Sequence, residues 1–179
     1  MKFILSFLLV AVSLSSYGQK PKFKLTNALV VGQIDKPEER YALEGALTNL
    51  LVDNGVKASP SLNFLKVGGD SKVLASDSML LKMKELGFDT YLIANVRGYD
   101  RKFKAAGRKD LLVDILGQGS LHELYRQDIV SITFEFSFYR NGQFIGSDLV
   151  KLGNISDRES VLKRFSKKIS KRIAKKWML

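Results

Sequence analysis

The sequence predicts an α/β fold of the α+β kind. It is one mixed β-sheet in the order β-α-β-α-β, followed by a β-hairpin and a C-terminal helix packed on the sheet. Three observations predict it. The short apolar runs Ala28-Leu29-Val30-Val31 and Leu92-Ile93-Ala94 read as strands covered on both faces. The stretches between them space their apolar residues by three and four, as helices do. Near the end, a strictly alternating segment runs into Asn141-Gly142, a strong short-range hairpin signal.

Taken in order, the chain opens on "MKFILSFLLVAVSLSSYGQKPKF". Lys2 precedes an apolar run from Phe3 to Val12, about half the roughly 20 residues needed to span a bilayer. Small and polar residues follow, with Ser16 and Gly18 placed as a signal peptidase requires. The expectation is a signal peptide over 1–18, cut after Gly18, and a single α/β domain over 19–179. Export to the periplasm or the outside follows from it. The chain has no cysteine, which excludes disulfides, thiolate metal sites and a lipid-modified cysteine.

Ala28 to Val31 form the first strand, and Gly32 to Asp35 leave the sheet. Asp35 and Glu38, with Pro37 between them, mark a helix start capped by Asp35. Leu43, Ala46, Leu47, Leu50 and Leu51 give that helix one apolar stripe, and Asn54-Gly55 ends it. "VKASPSLNFL" is a weaker strand, placed at a sheet edge by Pro60. Ser76 or Ser78 caps a second helix with Met79, Leu80, Met83 and Leu86 on its apolar side and Gly87 closing it. "DTYLIANVRGY" is a central strand. Residues 100–127 read as a basic loop and then one or two helical turns near Gly117 and Gly119, a connection long enough to be functional.

Val130, Ile132, Phe134, Phe136 and Phe138 alternate with Ser131, Thr133, Glu135, Ser137 and Tyr139. One face of this strand is apolar, the other solvated or half-covered. A two-residue turn at Asn141-Gly142 pairs Phe138 with Ile145, Phe136 with Ser147 and Phe134 with Leu149. Ser156 and Glu159 then form a capping box. Leu162, Phe165, Ile169, Ile173 and Trp177 line one face of the last helix. Right-handed crossovers make the first strands parallel.

This order, with the phrases "LTNLLVDNGVKASPS" and "YRNGQFIGSDL", resembles small exported proteins of Bacteroidetes type. Their domain is similar to the group that holds the TolB N-terminal domain, LpoB and the curli-secretion protein CsgG. The resemblance covers most of residues 19–179. It implies an accessory or binding domain of the bacterial cell envelope and brings no catalytic residue. The cysteine at the cleavage site of LpoB and CsgG is missing here.

The formal net charge is +11. Basic residues concentrate in Lys20, Lys22 and Lys24, in the loop 100–110, and in the last helix, where nine Lys or Arg meet two acids from Ser156 onward. Parallel first and third strands put the N-terminal arm and the basic loop at opposite edges of the sheet. That placement and export argue against nucleic acid as a partner. The last helix has two readings. Its cations are solvated while its apolar stripe covers the sheet, or Lys163, Lys167, Lys168, Lys171 and Lys175 meet an anionic surface. The first is favoured, since the sheet must be covered. Trp177-Met178-Leu179 is expected to fray and serve as a contact tip.

Chemistry is sparse. His122, the only histidine, has neither the neighbours nor the spacing of a metal signature, and no metal or cofactor is expected. Glu135 and Asp148 are expected to face each other across the hairpin. Ligands of open α/β sheets bind beyond the carboxyl ends of parallel strands. Asp35, Tyr99, Asp100 and Arg101 fall there and are the candidate ligand-binding residues. No catalytic residue is assigned. The leading expectation is a non-enzymatic envelope domain whose partner is an envelope protein or an anionic envelope surface. Peripheral binding of anionic surfaces comes second, and a small-ligand enzyme third. The sequence leaves the oligomeric state open.

Overall fold

The structure, a computed structural model, describes residues 24–65, 69–104 and 110–178. The expected leader lies outside the described residues. Five strands form one sheet: β1 (Asn27–Gln33), β2 (Lys57–Pro60), β3 (Thr90–Tyr99), β4 (Ser131–Arg140) and β5 (Gln143–Gly153). Their order is β2-β1-β3-β4-β5. β1 runs parallel to both β2 and β3, while β3, β4 and β5 are antiparallel. The mixed sheet, the parallel start and the edge position of the Pro60 strand all agree with the sequence. Four α-helices accompany it: α1 (Pro37–Asp53), α2 (Asp77–Glu85), α3 (Leu112–Leu116) and α4 (Arg158–Arg172), the last continued by a π-helical turn, Ile173–Trp177.

Both faces of the sheet are covered. On the first, Val30, Leu92, Ala94, Phe134, Phe136 and Phe138 meet Leu43, Leu47 and Leu51 of α1 and Phe165, Ile169, Ile173 and Trp177 of the C-terminal helix. On the second, Leu29, Val31, Tyr91, Ile93 and Tyr139 meet Leu74, Met83, Leu112, Ile115 and Leu116. Burying each large side chain is worth about 1.5–3 kcal/mol, so both layers hold the sheet in place. The face of β4 expected to be solvated or half-covered is largely interior: Ser131, Thr133, Glu135 and Tyr139 are buried. Val130 is exposed and precedes the strand.

The helix ends differ in detail from the sequence expectation. α1 has Lys36 at its N-cap with no side-chain cap, and the Asp35 carboxylate instead accepts from the Ser120 N–H at 3.1 Å. Ser76 caps α2 as expected. α4 is capped one residue later than expected: Asp157 accepts from the Ser160 N–H at 2.6 Å, and Ser160 Oγ accepts from the Asp157 N–H at 3.1 Å. Leu162 is half-buried and Val161 takes the seam position.

Asn141 and Gly142 turn the hairpin with φ of 49° and 76°. The register then slips by one. Tyr139 pairs with Phe144 but Phe138 with Gly146, so Ile145 is an extra residue. Phe136 therefore pairs with Asp148 and Phe134 with Val150. Glu135 and Asp148 lie on opposite faces, which corrects the expected carboxylate pair.

That slip brings Asp148 under the end of the last helix. It accepts from Trp177 Nε1 at 3.1 Å and pairs with Arg172 at 2.9 Å and Lys176 at 3.3 Å. The Trp177 ring sits 5.0 Å from Phe136 and 5.1 Å from Phe138, and its carbonyl accepts from the Leu25 N–H at 2.6 Å. Trp177 is 1% exposed, so the expected fraying tip is an anchor.

Candidate functional site

The carboxyl ends of β1 and β3 lie side by side, with Gln33 paired to Asn95. A long connection follows β3, and its segment 118–124 returns across this edge. Five residues tie it down. Gln33 Nε2 donates to the Ile115 and Gln118 carbonyls. Asp35 accepts from Ser120, as above. Lys36 pairs with Glu123 at 2.7 Å, a contact that raises the Lys36 pKa. The buried Glu39 accepts from the Leu124 N–H at 2.7 Å, and Tyr99 Oη donates to the Glu123 carbonyl at 2.5 Å. His122 lies edge-on to Tyr99 at 5.2 Å, and Arg126 sits over the same ring at 5.3 Å. Burial raises the Tyr99 pKa, with the Glu123 charge adding to it.

Two of the four candidate ligand residues, Asp35 and Tyr99, thus flank one segment and hold it. Asp100 does a related job at the start of β4. Its φ is 50°, and one carboxylate oxygen accepts from the Val130 N–H at 3.1 Å, the Ser131 N–H at 2.7 Å and Ser131 Oγ at 3.1 Å. Partial desolvation opposes its ionisation, but these hydrogen bonds outweigh it and hold its pKa below 3.8. Arg101 is exposed and makes no hydrogen bond or ion pair among the described residues. Between Asp35, Lys36, Ser120, Leu121, His122 and Glu123 lies a hollow of about 260 Å³. Leu121 stands at it 92% exposed.

A second polar group includes Glu135, expected from the sequence to pair with Asp148, and three residues with no assigned role there, Asn95, Arg97 and Ser137. Asn95, Arg97, Glu135 and Ser137 share a hollow with Asp110 and Gln118 on the second face. Arg97 is the extra residue where the β3–β4 register shifts. Next to it Gly98 has φ 145°, and the Phe103 ring lies 2.6 Å from where a Cβ would be, so only glycine fits. The bulge sets Arg97 3.6 Å from Glu135, which is 7% exposed. Asn95 Oδ1 is buried without a hydrogen-bond partner. The signal available in the sequence is the spacing: Asn95 and Arg97 alternate along a strand read as central, as Glu135 and Ser137 do along the polar face of the next strand.

The cations of the last helix divide into two sets. Lys168 Nζ donates to the Lys151 carbonyl, and Arg172 donates to the Leu149 carbonyl at 3.2 Å as well as pairing with Asp148. These cover outward carbonyls of the edge strand β5, a position where unpaired backbone invites another chain. Lys163, Arg164, Lys167, Lys171 and Lys175 are exposed and bond to no described residue. Among the described residues no group of three or more His, Asp or Glu is placed to hold a metal ion. No described helix is long and apolar enough to cross a membrane.

No family model matches the chain, and no curated protein matches it. Among solved structures it is similar to PelC from Paraburkholderia phytofirmans in two dodecamer crystal forms. One is 14% identical over 83% of this chain and 92% of that chain, with a TM-score of 0.41. The other is 12% identical over 83% and 91%, with a TM-score of 0.40. It is also similar to lipoprotein GNA1162 from Neisseria meningitidis, 13% identical over 84% of this chain and 97% of that chain, with a TM-score of 0.45. No residue role is carried to this chain from any of them.

Proposed function

We propose that the chain is an exported cell-envelope accessory domain that binds another macromolecule and catalyses no reaction. One observation carries the non-catalytic part. The groups with useful chemistry at the sheet's carboxyl edge are engaged by the fold itself: Asp35 with Ser120, Tyr99 with Glu123, Asp100 with Val130 and Ser131. A general base must reach a substrate proton; Asp100, already accepting from three donors, is poorly placed to do so, and the carboxylate of Asp35 is committed to the Ser120 N–H. Export is supported by the sequence of residues 1–18. Two measurements test the reading. N-terminal sequencing of protein recovered from an expressing cell should begin at Gln19. Affinity capture from the native envelope should retain a defined partner. An intact leader on cytosolic protein, or turnover of any substrate that depends on Asp35, Asp100 or Glu135, would overturn it.

A second reading is favoured by the unpartnered cations of α4: the domain is a peripheral binder of anionic surfaces. Salt-dependent retention on an anionic matrix tests it, and loss of retention should track Lys163, Lys167 and Lys171. Lys168, first counted with them, is held at the edge of β5.

A further inference from the structure

We infer that the outer face of α4 docks on an anionic lipid bilayer, lying flat and without inserting. The inference rests on the second reading above and gives it a partner. The first support is the sorting of the charges. The cations that bond inward, Lys168, Arg172 and Lys176, hold the helix to β5. Lys163, Arg164, Lys167, Lys171 and Lys175 make no ion pair with a described carboxylate. An unneutralised cationic patch seeks an anionic partner.

The second support is shape. At about 100° per residue, Lys163, Lys167, Lys171 and Arg164 spread over a sector of roughly 100°. At about 1.5 Å per residue they extend over about 12 Å of helix. Lys175, in the π-helical turn, lengthens the patch. The buried seam of Val161, Phe165 and Ile169 lies nearly opposite. This is a two-dimensional patch rather than a single file, which suits a surface better than one linear polyanion.

The third support is composition. The exposed side of α4 carries lysines and Arg164 with Ser170 and Ala174 between them, a single acid, Glu159, in the first turn, and no aromatic or large aliphatic side chain. Lysine is a hydrated point charge, fitted to headgroups spread over a surface, whereas bidentate recognition of one anion favours arginine. With nothing apolar to insert, binding is electrostatic and labile to salt. Trp177, the only tryptophan, lies beneath the helix on the sheet side and does not touch the membrane.

The test uses protein recovered from the envelope of an expressing cell and phosphatidylcholine–phosphatidylglycerol vesicles, with pure phosphatidylcholine as the neutral control. Co-sedimentation with the anionic vesicles should be strong at low salt and vanish at about 1 M, where the Debye length is about 3 Å. The triple variant Lys163→Gln, Lys167→Gln, Lys171→Gln should lose about 100-fold in partitioning, roughly fivefold per charge. The double variant Arg164→Gln, Lys175→Gln should lose about 25-fold on the same scale. Lys168→Gln should change partitioning by less than about twofold, since that cation faces β5 rather than the lipid. Trp177 emission should not shift on binding. Equal binding to neutral vesicles, persistence in about 1 M salt, indifference to both variants, or a blue shift of Trp177 would each overturn the inference. Capture on polyglutamate beads without vesicle binding would sink it and leave the broader anionic-surface reading standing.

Discussion

On one face of the sheet the rings of Phe134, Phe136 and Phe138 meet Phe165 and Trp177. On the other, the same central strands present Asn95, Arg97, Thr133, Glu135 and Ser137. The first face is a dry aromatic layer, with Phe134 and Phe165 at 5.0 Å and Phe136 and Trp177 at 5.0 Å. The second is apolar only where α2 and α3 cover it, and polar toward the carboxyl ends of β1 and β3. The contrast shows where stability and recognition are placed in this fold. Stability is concentrated under α1 and α4. Among the polar groups of the second face, Arg97 and Glu135 form one ion pair while Asn95 Oδ1 stays without a partner, and the freest charges lie on the back of the helix that covers the first.

The largest expected effect comes from breaking the aromatic face. Trp177→Ala removes a side chain that closes the layer, and should cost about 3–5 kcal/mol in urea unfolding. A loss under about 1 kcal/mol would mean that the last turn frays after all. Asp148→Ala comes next. It takes the acceptor from Trp177 Nε1 and the partner from Arg172 and Lys176. Those cations are half-exposed, so solvent screens them and the cost should be about 1–2 kcal/mol. An unchanged urea midpoint would contradict the anchoring role of the slipped register.

Thr48→Val sharpens the comparison from the other side. Thr48 Oγ1 is buried without a partner on the α1 layer. Replacing it with a methyl of the same shape should raise stability by about 1 kcal/mol. A loss of stability would show that the hydroxyl is satisfied. Acid adds a weaker test. The pKa values of Asp100 and Asp157 are held below 3.8, for Asp100 by Ser131 and Val130 against partial desolvation, for Asp157 mainly by the Ser160 N–H. Their contribution is complete well above 3.8 and is lost as pH falls through that value toward the folded pKa. The double variant Asp100→Asn, Asp157→Asn should therefore show a shallower loss of stability below about pH 4 than the parent. Parallel curves would contradict the assignment. The smallest effect is expected at Lys163→Gln, within about 0.5 kcal/mol of the parent, because its charge stabilises nothing in the folded chain.

How much of this was legible in the sequence follows from the range of each interaction. The unbroken apolar runs around Val30 and Leu92 marked strands covered on both faces, and the alternating phenylalanines marked a strand by its period of two. Pro60 gave the edge, because it lacks a donor. The Asn141-Gly142 turn was local and clear, but the extra residue Ile145 carried no glycine or proline to announce it. That one residue moved Asp148 from Glu135 to Trp177, and with it the fate of the C-terminus. Ser156 and Asp157 are both competent caps, so their order was decided by geometry. Asp35 looked like a cap because its true partner, Ser120, is 85 residues away. Tyr99 and Glu123 are likewise linked only through the long connection. The cover over Glu135 comes from segments with no periodicity of their own, which is why its face read as solvated or half-covered.

The C-terminal helix is part of the core on one side and bare on the other. Native-state hydrogen exchange tests that directly. Amides of Ile169 and Ile173 should exchange only through global unfolding, at the same free energy as Phe134 and Phe136 in β4. Exchange of the helix at markedly lower free energy, while β4 stays protected, would contradict it.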